Sequence, residues 1–360
     1  MQNLSFAVLV IPSLNPDEKL LTLIKEASQY FSDIILVNDG SLKEYDSIYK
    51  KICASYSGIH YLKHDKNEGK GAALKTAMQY FISSALADSY VGVVTADSDG
   101  QHECNDIIAI DKQLGIKGEK SLIIGYRDLD SENMPLRSKF GNKSTALLFR
   151  ALYGIKLKDT QSGLRGFSKD IIPWLINIKG NRFEYEMNML IKSKDADFSV
   201  YEHPIKTKYE QNHKSHFKSL KDSIRVLGVL LSGILSFIIA GIIAGVVDLG
   251  MFALLRYVFI PPSLALALNL LISTAIARVL SSIANFIYNR FVTFGGKRIS
   301  KTSILRYYLL WFVQLLSSYG TVLLLTTVIG GGEILIKFGV DLILALMSYQ
   351  IQMKWVFKKK

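Results

Sequence analysis

The sequence predicts two joined fold classes. An α/β domain with a Rossmann-like, mostly parallel sheet is expected over residues 1–210, and an all-α transmembrane domain of four helices over residues 230–360. Three observations predict this. Short apolar runs alternate with helical patterns in the first half, as in a sheet wrapped on both faces. Four long apolar stretches follow, near 230–255, 264–289, 307–329 and 335–356. Each has about 20 residues or more, enough to cross a bilayer as a helix. The charge is also divided unevenly. The 360-residue chain carries +12, from 43 Lys and Arg against 31 Asp and Glu, yet residues 221–360 hold 14 basic residues and only four acids, Asp222, Asp248, Glu333 and Asp341.

The elements follow in order. Phe6–Pro12 is apolar but too short to span a bilayer. It lacks a basic flank and a small-residue cleavage site, so it reads as a buried strand and not a signal peptide. Similar runs recur at Asp33–Asp39, Ile59–Lys63, Tyr90–Asp97 and Ser121–Arg127, with helical patterns near 17–31, 43–55, 70–87 and 105–115 between them. Parallel sheets bind ligands outside the carboxyl ends of their strands. Asn15, Asn38-Asp39, Asp97-Ser98-Asp99 and Arg127 stand at those ends.

Residues 211–229 are expected to form a juxtamembrane amphipathic linker, because Phe217, Leu220, Ile224 and Leu227 fall at helical spacing. Basic residues crowd the junctions before the first span, between the second and third, and after the fourth. The positive-inside rule then places both termini and the first domain in the cytoplasm. Within the spans, Asp248 and Arg278 are expected to pair, since a charge at membrane depth is costly alone. The segments 285–294 and 348–357 carry aromatic and basic residues at similar offsets. Duplication and the ordinary chemistry of a membrane interface explain that equally well.

Several chemistries are excluded. Two cysteines, Cys53 and Cys104, make neither a disulfide framework nor a Cys-rich zinc site. The six histidines form no HExxH pair. Gly69-Lys70-Gly71 is not a P-loop, and no GxGxxG follows a strand. The basic excess lies among apolar runs and not on a polar face, which argues against nucleic acid.

The strongest local signal is Thr95-Ala96-Asp97-Ser98-Asp99-Gly100-Gln101-His102, directly after an apolar strand. Residues two apart in an extended segment face one side, so Asp97 and Asp99 can present two carboxylates to one ligand. Hard oxygen donors in an open site suit Mg²⁺ or Mn²⁺ bridging a diphosphate.

With Val10-Ile11-Pro12-Ser13-Leu14-Asn15, Val37-Asn38-Asp39-Gly40-Ser41 and Asn67-Glu68-Gly69-Lys70-Gly71, this segment resembles the family-2 glycosyltransferases of the GT-A fold. Asp159–Phe167 and Phe183–Met187 look like the dolichol-phosphate-mannose-synthase-like branch, which makes polyprenyl-phosphate sugars. The four-span block with Asn285-Phe286…Arg290…Phe294 resembles the GtrA-like membrane family, linked to cell-surface polysaccharide biosynthesis. By position, the resemblance implies that Pro12, Asn15, Asp39, Lys70, Asp97 and Ser98 bind the nucleotide. It gives Asp97, Asp99 and Gln101 to the metal, and Arg127, Arg137 and Arg165 to phosphates. Asp159 is a candidate base, and Glu184 and Glu186 candidates for sugar hydroxyls. Leu14, Pro16 and Asn38 depart from the common Tyr, Glu and Asp.

The implied reaction is an inverting transfer of a hexose from a UDP- or GDP-sugar to a polyprenyl phosphate, with Asp99, Arg127, Arg137, Asp159 and Arg165 as catalytic groups. Membrane lipid is an expected partner, nucleic acid is not, and a homo-oligomer is left open. The alternative reading is a transporter of lipid-linked sugar with an ancillary nucleotide-sugar-binding domain.

Overall fold

The computed structural model describes residues 5–128, 136–194, 196–206, 220–259, 261, 265–296, 298–329 and 333–357. The chain divides into two compact units, Met1–Leu230 and Leu231–Lys360.

In the first unit the expected strands form: β1 (Ala7–Ser13), β2 (Ile34–Asn38), β3 (Ile59–Lys63), β4 (Gly92–Thr95) and β5 (Ser121–Arg127). Between them run α1 (Glu18–Ala27), α2 (Asp46–Ser55), α3 (Lys70–Ser83), the short α4 (Leu86–Ser89) and α5 (Cys104–Lys117). After β5 come α6 (Leu136–Tyr153), β6 (Arg165–Ser168), α7 (Ile172–Ile176), α8 (Glu184–Ser193) and β7 (Ser199–Ile205). Among the described residues the sheet order is β3-β2-β1-β4-β6-β5-β7, and β6 alone runs antiparallel to its neighbours.

Alternation along the strands gives the sheet two apolar faces. Leu9, Ile11, Ile34 and Leu36 share one core with Leu20 and Ile24 of α1, Ile52 of α2 and Ile107 of α5. Val8, Val10, Ile35 and Val37 are buried outside that core, and α3 packs on β1 and β2. Pro12 sits in the central strand at little cost. Even-numbered residues of β1 bond toward β4, as Val10 does in accepting Ala96 N–H, but β4 pairs with β1 no further than Val10. The N–H that proline lacks would point past the last rung.

In the second unit, four helices are long and apolar enough to cross a membrane. They are α9 (Leu220–Leu254, entering from the first unit), α10 (Leu266–Tyr288), α11 (Lys301–Ile329) and α12 (Glu333–Ile351). Of the expected amphipathic linker or helix at 211–229, residues 220–229 are the opening turns of α9, where nothing breaks a helix, and residues 211–219, Phe217 among them, lie outside the described residues. Asp248 and Arg278 do meet, with Nη1 and Oδ2 3.6 Å apart, and Ser281 Oγ donates to Asp248 at 3.2 Å.

The repeat left open by the sequence is a duplication of structure. Both α10 and α12 end in a five-residue π-helical turn, Asn289–Thr293 and Gln352–Val356. Phe294 N–H closes the first onto Asn289 O and Phe357 N–H the second onto Gln352 O. Asn289 Nδ2 donates four residues back to Asn285, as Gln352 Nε2 does to Ser348. The ring contacts are reciprocal. Phe286 meets Phe357 at 5.4 Å, and their counterparts Tyr349 and Phe294 meet at 5.7 Å. Phe237 of α9 meets Tyr349 at 5.6 Å edge-on, and Tyr307 of α11 meets Phe286 at 5.2 Å edge-on. Phe294 and Phe357 stack on each other at 5.2 Å. Such pairing of i with j′ and j with i′ is the mark of a two-fold axis. The correspondence is local: it relates the ends of α10 and α12, with the residues of α9 and α11 that meet them, about the stacked Phe294–Phe357 pair, whereas α11 and α12 pack on each other more closely than α9 and α10 do.

Candidate active site

The carboxyl ends of β1, β2 and β4 gather the site. After β1, Asn15 turns the chain at φ 47°, a left-handed conformation that Asn tolerates. Its N–H donates to Ser41 Oγ at 2.8 Å, and its Oδ1 accepts Leu42 N–H at 3.0 Å. After β2, Asn38 is fully buried between the Tyr61 hydroxyl and Ser41 N–H.

Asp39 is committed as well. Its carboxylate accepts the N–H groups of Glu68 and Gly69 at 2.9 and 2.8 Å, and His64 Nδ1 lies 2.8 Å away. Its side chain is only 6% exposed. Asp39 therefore shapes the loop before α3. Gly69, at φ 106°, and Gly71 let this loop lie against the start of α8: a Cβ on either would come within 2.5 Å of Arg182, Asn181 or Tyr185.

That close approach sends Lys70 inward. Its Nζ lies 2.6 Å from Asp97 Oδ1 and 3.1 Å from Glu186 Oε1. Burial pulls the ammonium pKa down, but the two carboxylates outweigh burial and raise it. Burial likewise pushes the Asp97 carboxyl up, and Lys70 with His102 overrides it and holds Asp97 well below the usual range. Thr95 Oγ1 donates to Gly163 O at 2.9 Å and fixes a backbone that faces the pair. A Cβ on Gly163 would stand 2.5 Å from Asp97 Oδ2 and 2.6 Å from Lys70 Nζ. In the following turn Asp99 Oδ1 accepts Gln101 N–H at 3.1 Å. Ser98 is half-buried beside it.

A second cluster lies at the end of β5. Arg127 grips Asp159 with Nε at 2.6 Å and Nη2 at 3.1 Å, and Gln161 N–H donates to the same carboxylate at 2.9 Å. Burial raises the Asp159 carboxyl, yet Arg127 outweighs it and the net shift is down. As a free base Asp159 is corrected: a fully buried carboxylate with a bidentate arginine keeps its charge for that partner.

Arg165 is 1% exposed and donates to the carbonyls of Ser162, Thr160 and Glu186 from within β6. It braces the segment that carries Gly163. Glu184 Oε1 accepts the N–H groups of Asn181 and Arg182 and so holds the turn that leads into α8. Arg137 lies in the first turn of α6, and its side chain is outside the described residues.

The sequence reading passed over His102. Its ring is 6% exposed, Nε2 lies 3.6 Å from Asp97 Oδ2, and neither ring nitrogen has a hydrogen-bond partner among the described residues. Only its place directly after Gln101 hinted at a role. Orphaned buried nitrogens beside the Asp97 carboxylate are donors that a divalent cation could use. No three His, Cys, Asp or Glu side chains form a cage among the described residues.

Two family models match the chain. Glycosyl transferase family 2 covers residues 8–114, and the GtrA/DPMS transmembrane domain covers residues 236–357. An uncharacterized protein of Methanocaldococcus jannaschii is 30% identical over 228 residues, 62% of this chain and 89% of that protein. A UDP-N-acetylglucosamine–dolichyl-phosphate N-acetylglucosaminyltransferase of Methanococcus voltae is 29% identical over 222 residues, 56% of this chain and 86% of that enzyme. A dolichyl-phosphate beta-glucosyltransferase of Trichomonas vaginalis is 23% identical over 212 residues, 54% of this chain and 63% of that one.

Proposed function

Because this chain belongs to glycosyl transferase family 2 and carries a GtrA/DPMS transmembrane domain, we propose that it transfers a hexose from a nucleoside-diphosphate sugar to a polyprenyl phosphate at a membrane surface, with inversion. The observation that carries the proposal is the Asp97–Asp99 loop at the end of β4, with Lys70 seated between Asp97 and Glu186. Two relatives named for dolichyl phosphate support the acceptor class. The basic junctions support a cytoplasmic catalytic domain.

The chemistry needs little base catalysis. A lipid phosphate is already an anion at neutral pH and can attack the anomeric carbon directly. The bond from that carbon to the donor diphosphate breaks as the new carbon–oxygen bond forms, so one displacement inverts the centre. The harder tasks are holding two anions together and stabilising the diphosphate that leaves. A divalent cation held by Asp97, Asp99 and Gln101, with His102 beside them, would supply charge neutralisation to that leaving group. Lys70 keeps Asp97 ionised and oriented and adds a fixed positive charge. Gly163 leaves room for both. The Arg127–Asp159 pair holds β5 to the segment before β6, so that segment presents Gly163 correctly. Glu186, tethered by Lys70, is placed to accept a sugar hydroxyl.

The test incubates membranes holding the protein with labelled UDP- and GDP-hexoses, a polyprenyl phosphate and Mg²⁺ or Mn²⁺. Label should enter the organic phase with one donor and be lost in Asp99→Asn and on chelation. Absence of transfer from every donor by a folded protein would refute the proposal.

A further inference from the structure

We propose that Arg290 and Arg306 form a binding site for the phosphate of a lipid, built into one half of the duplicated transmembrane unit. The two guanidinium groups converge on one short segment at the end of α12. Arg306 Nη1 donates to Trp355 O at 2.9 Å and lies 5.3 Å over the Trp355 ring. Arg290 Nη1 reaches Phe357 O at 3.5 Å and lies 5.8 Å over the Phe357 ring, while its Nε donates to Arg298 O at 2.7 Å. The niche is shaped for that group, since a Cβ on Gly296 would fall 2.4 Å from Arg290 Nε.

Among the described residues neither arginine touches a carboxylate, and the sequence has no Asp or Glu between Asp248 and Glu333. Neither guanidinium is therefore neutralised by a carboxylate among the described residues, while both bond to carbonyls of the same short segment. Each guanidinium has five N–H donors, and the bonds above use two on Arg290 and one on Arg306. A planar fork with donors to spare matches phosphate oxygens well.

The local two-fold correspondence argues against a purely architectural role. The ring contacts that define it place Arg290 opposite Met353 and Arg306 opposite Ser236. At the twin position Ser236 Oγ and Thr293 Oγ1 simply share a hydrogen bond at 3.0 Å. The same scaffold therefore closes on that side without any arginine, and the charges serve something the twin side does not bind. The segment lies where α10 and α12 end and α11 begins, at one end of membrane-length helices, so the phosphate that meets it is carried by a lipid. Phosphate monoesters on a polyprenol and diesters of bilayer phospholipids share the chemistry.

The experiment uses full-length protein in detergent and radiolabelled farnesyl phosphate at equilibrium, with no nucleotide sugar, so failure of the transferase proposal would not mask the result. Arg290→Gln/Arg306→Gln should weaken a saturable, phosphate-dependent binding component by at least about tenfold, the loss of two charge-assisted contacts. Arg290→Lys/Arg306→Lys should restore part of it, and Ser236→Ala should leave it unchanged. Farnesol should not compete. Competition by phosphatidylglycerol as strong as by farnesyl phosphate assigns the site to bulk lipid, and weaker competition assigns it to a polyprenyl phosphate. Unchanged binding in the Gln variant, or equal competition by farnesol, would overturn the proposal. So would a loss of binding in both double variants that tracks a fall in their melting temperature, because the arginines would then be holding the fold.

Discussion

Lys70 stands between two carboxylates, and Gly163 stands against both the lysine and Asp97. Lys70→Met leaves Asp97 and Glu186 facing each other unpaired, a change that typically costs about 3–5 kcal/mol when buried. It is expected to lower both the melting temperature and the affinity for nucleoside diphosphate, read by calorimetry. Gly163→Ala is a finer probe. Its methyl displaces the pair by less than a bond length, and a misplacement on the order of 1 Å can cost about a hundredfold in rate. Its circular dichroism should match the parent while turnover falls; unchanged turnover would contradict the geometry.

Arg127 and Asp159 predict a pH effect. The Asp159 carboxyl is depressed in the fold, so its contribution to stability is present above the unfolded value near ~3.9 and is lost as pH falls through the folded one. Thermal scans of Asp159→Asn should therefore differ most from the parent at neutral pH and converge with it in acid. The sequence carried the residue types of this site but not their partners. Asp39, Asp159 and Arg165 look like ligand-binding groups as letters, yet each is spent on backbone or on an ion pair that only the folded chain brings together. His102 went unnoticed because its orphaned nitrogens are a property of its burial.

At the scale of elements, the first five strands were legible because most are apolar runs bounded by turn residues, and β3, Ile-His-Tyr-Leu-Lys, falls between two helical patterns in the same alternation. β6 and β7 were not. β6 is only Arg-Gly-Phe-Ser, too short for a period, and β7 carries Glu202, His203 and Pro204. The antiparallel turn of β6 matters, because it brings Gly163 back beside β4. In the membrane unit, the spans were legible by length alone, whereas the duplication needed contacts to separate it from a common interface pattern. A double-mutant cycle on Phe294→Ala and Phe357→Ala should give a coupling of about 0.5–1.5 kcal/mol, as for other aromatic pairs. A coupling of zero would deny that these two rings form the centre of the axis.

Across the whole molecule, the charge of +12 has two different uses. In the first unit the important charges are paired and local: Lys70 with Asp97 and Glu186, Arg127 with Asp159. In the second unit Arg290 and Arg306 are left to carbonyls and rings. Neutralised charges organise a site for a water-soluble anion that brings its own cation, and unneutralised ones suit a lipid surface. A sugar that moves from a nucleotide onto a lipid phosphate leaves its stereochemistry in the product. The most direct measurement is NMR of the lipid product formed from an α-linked nucleotide sugar. Inversion at the anomeric carbon gives a sugar 1-phosphate with β configuration and phosphorus coupling at that carbon. An α-linked product, or a sugar attached anywhere but the lipid phosphate, would contradict it.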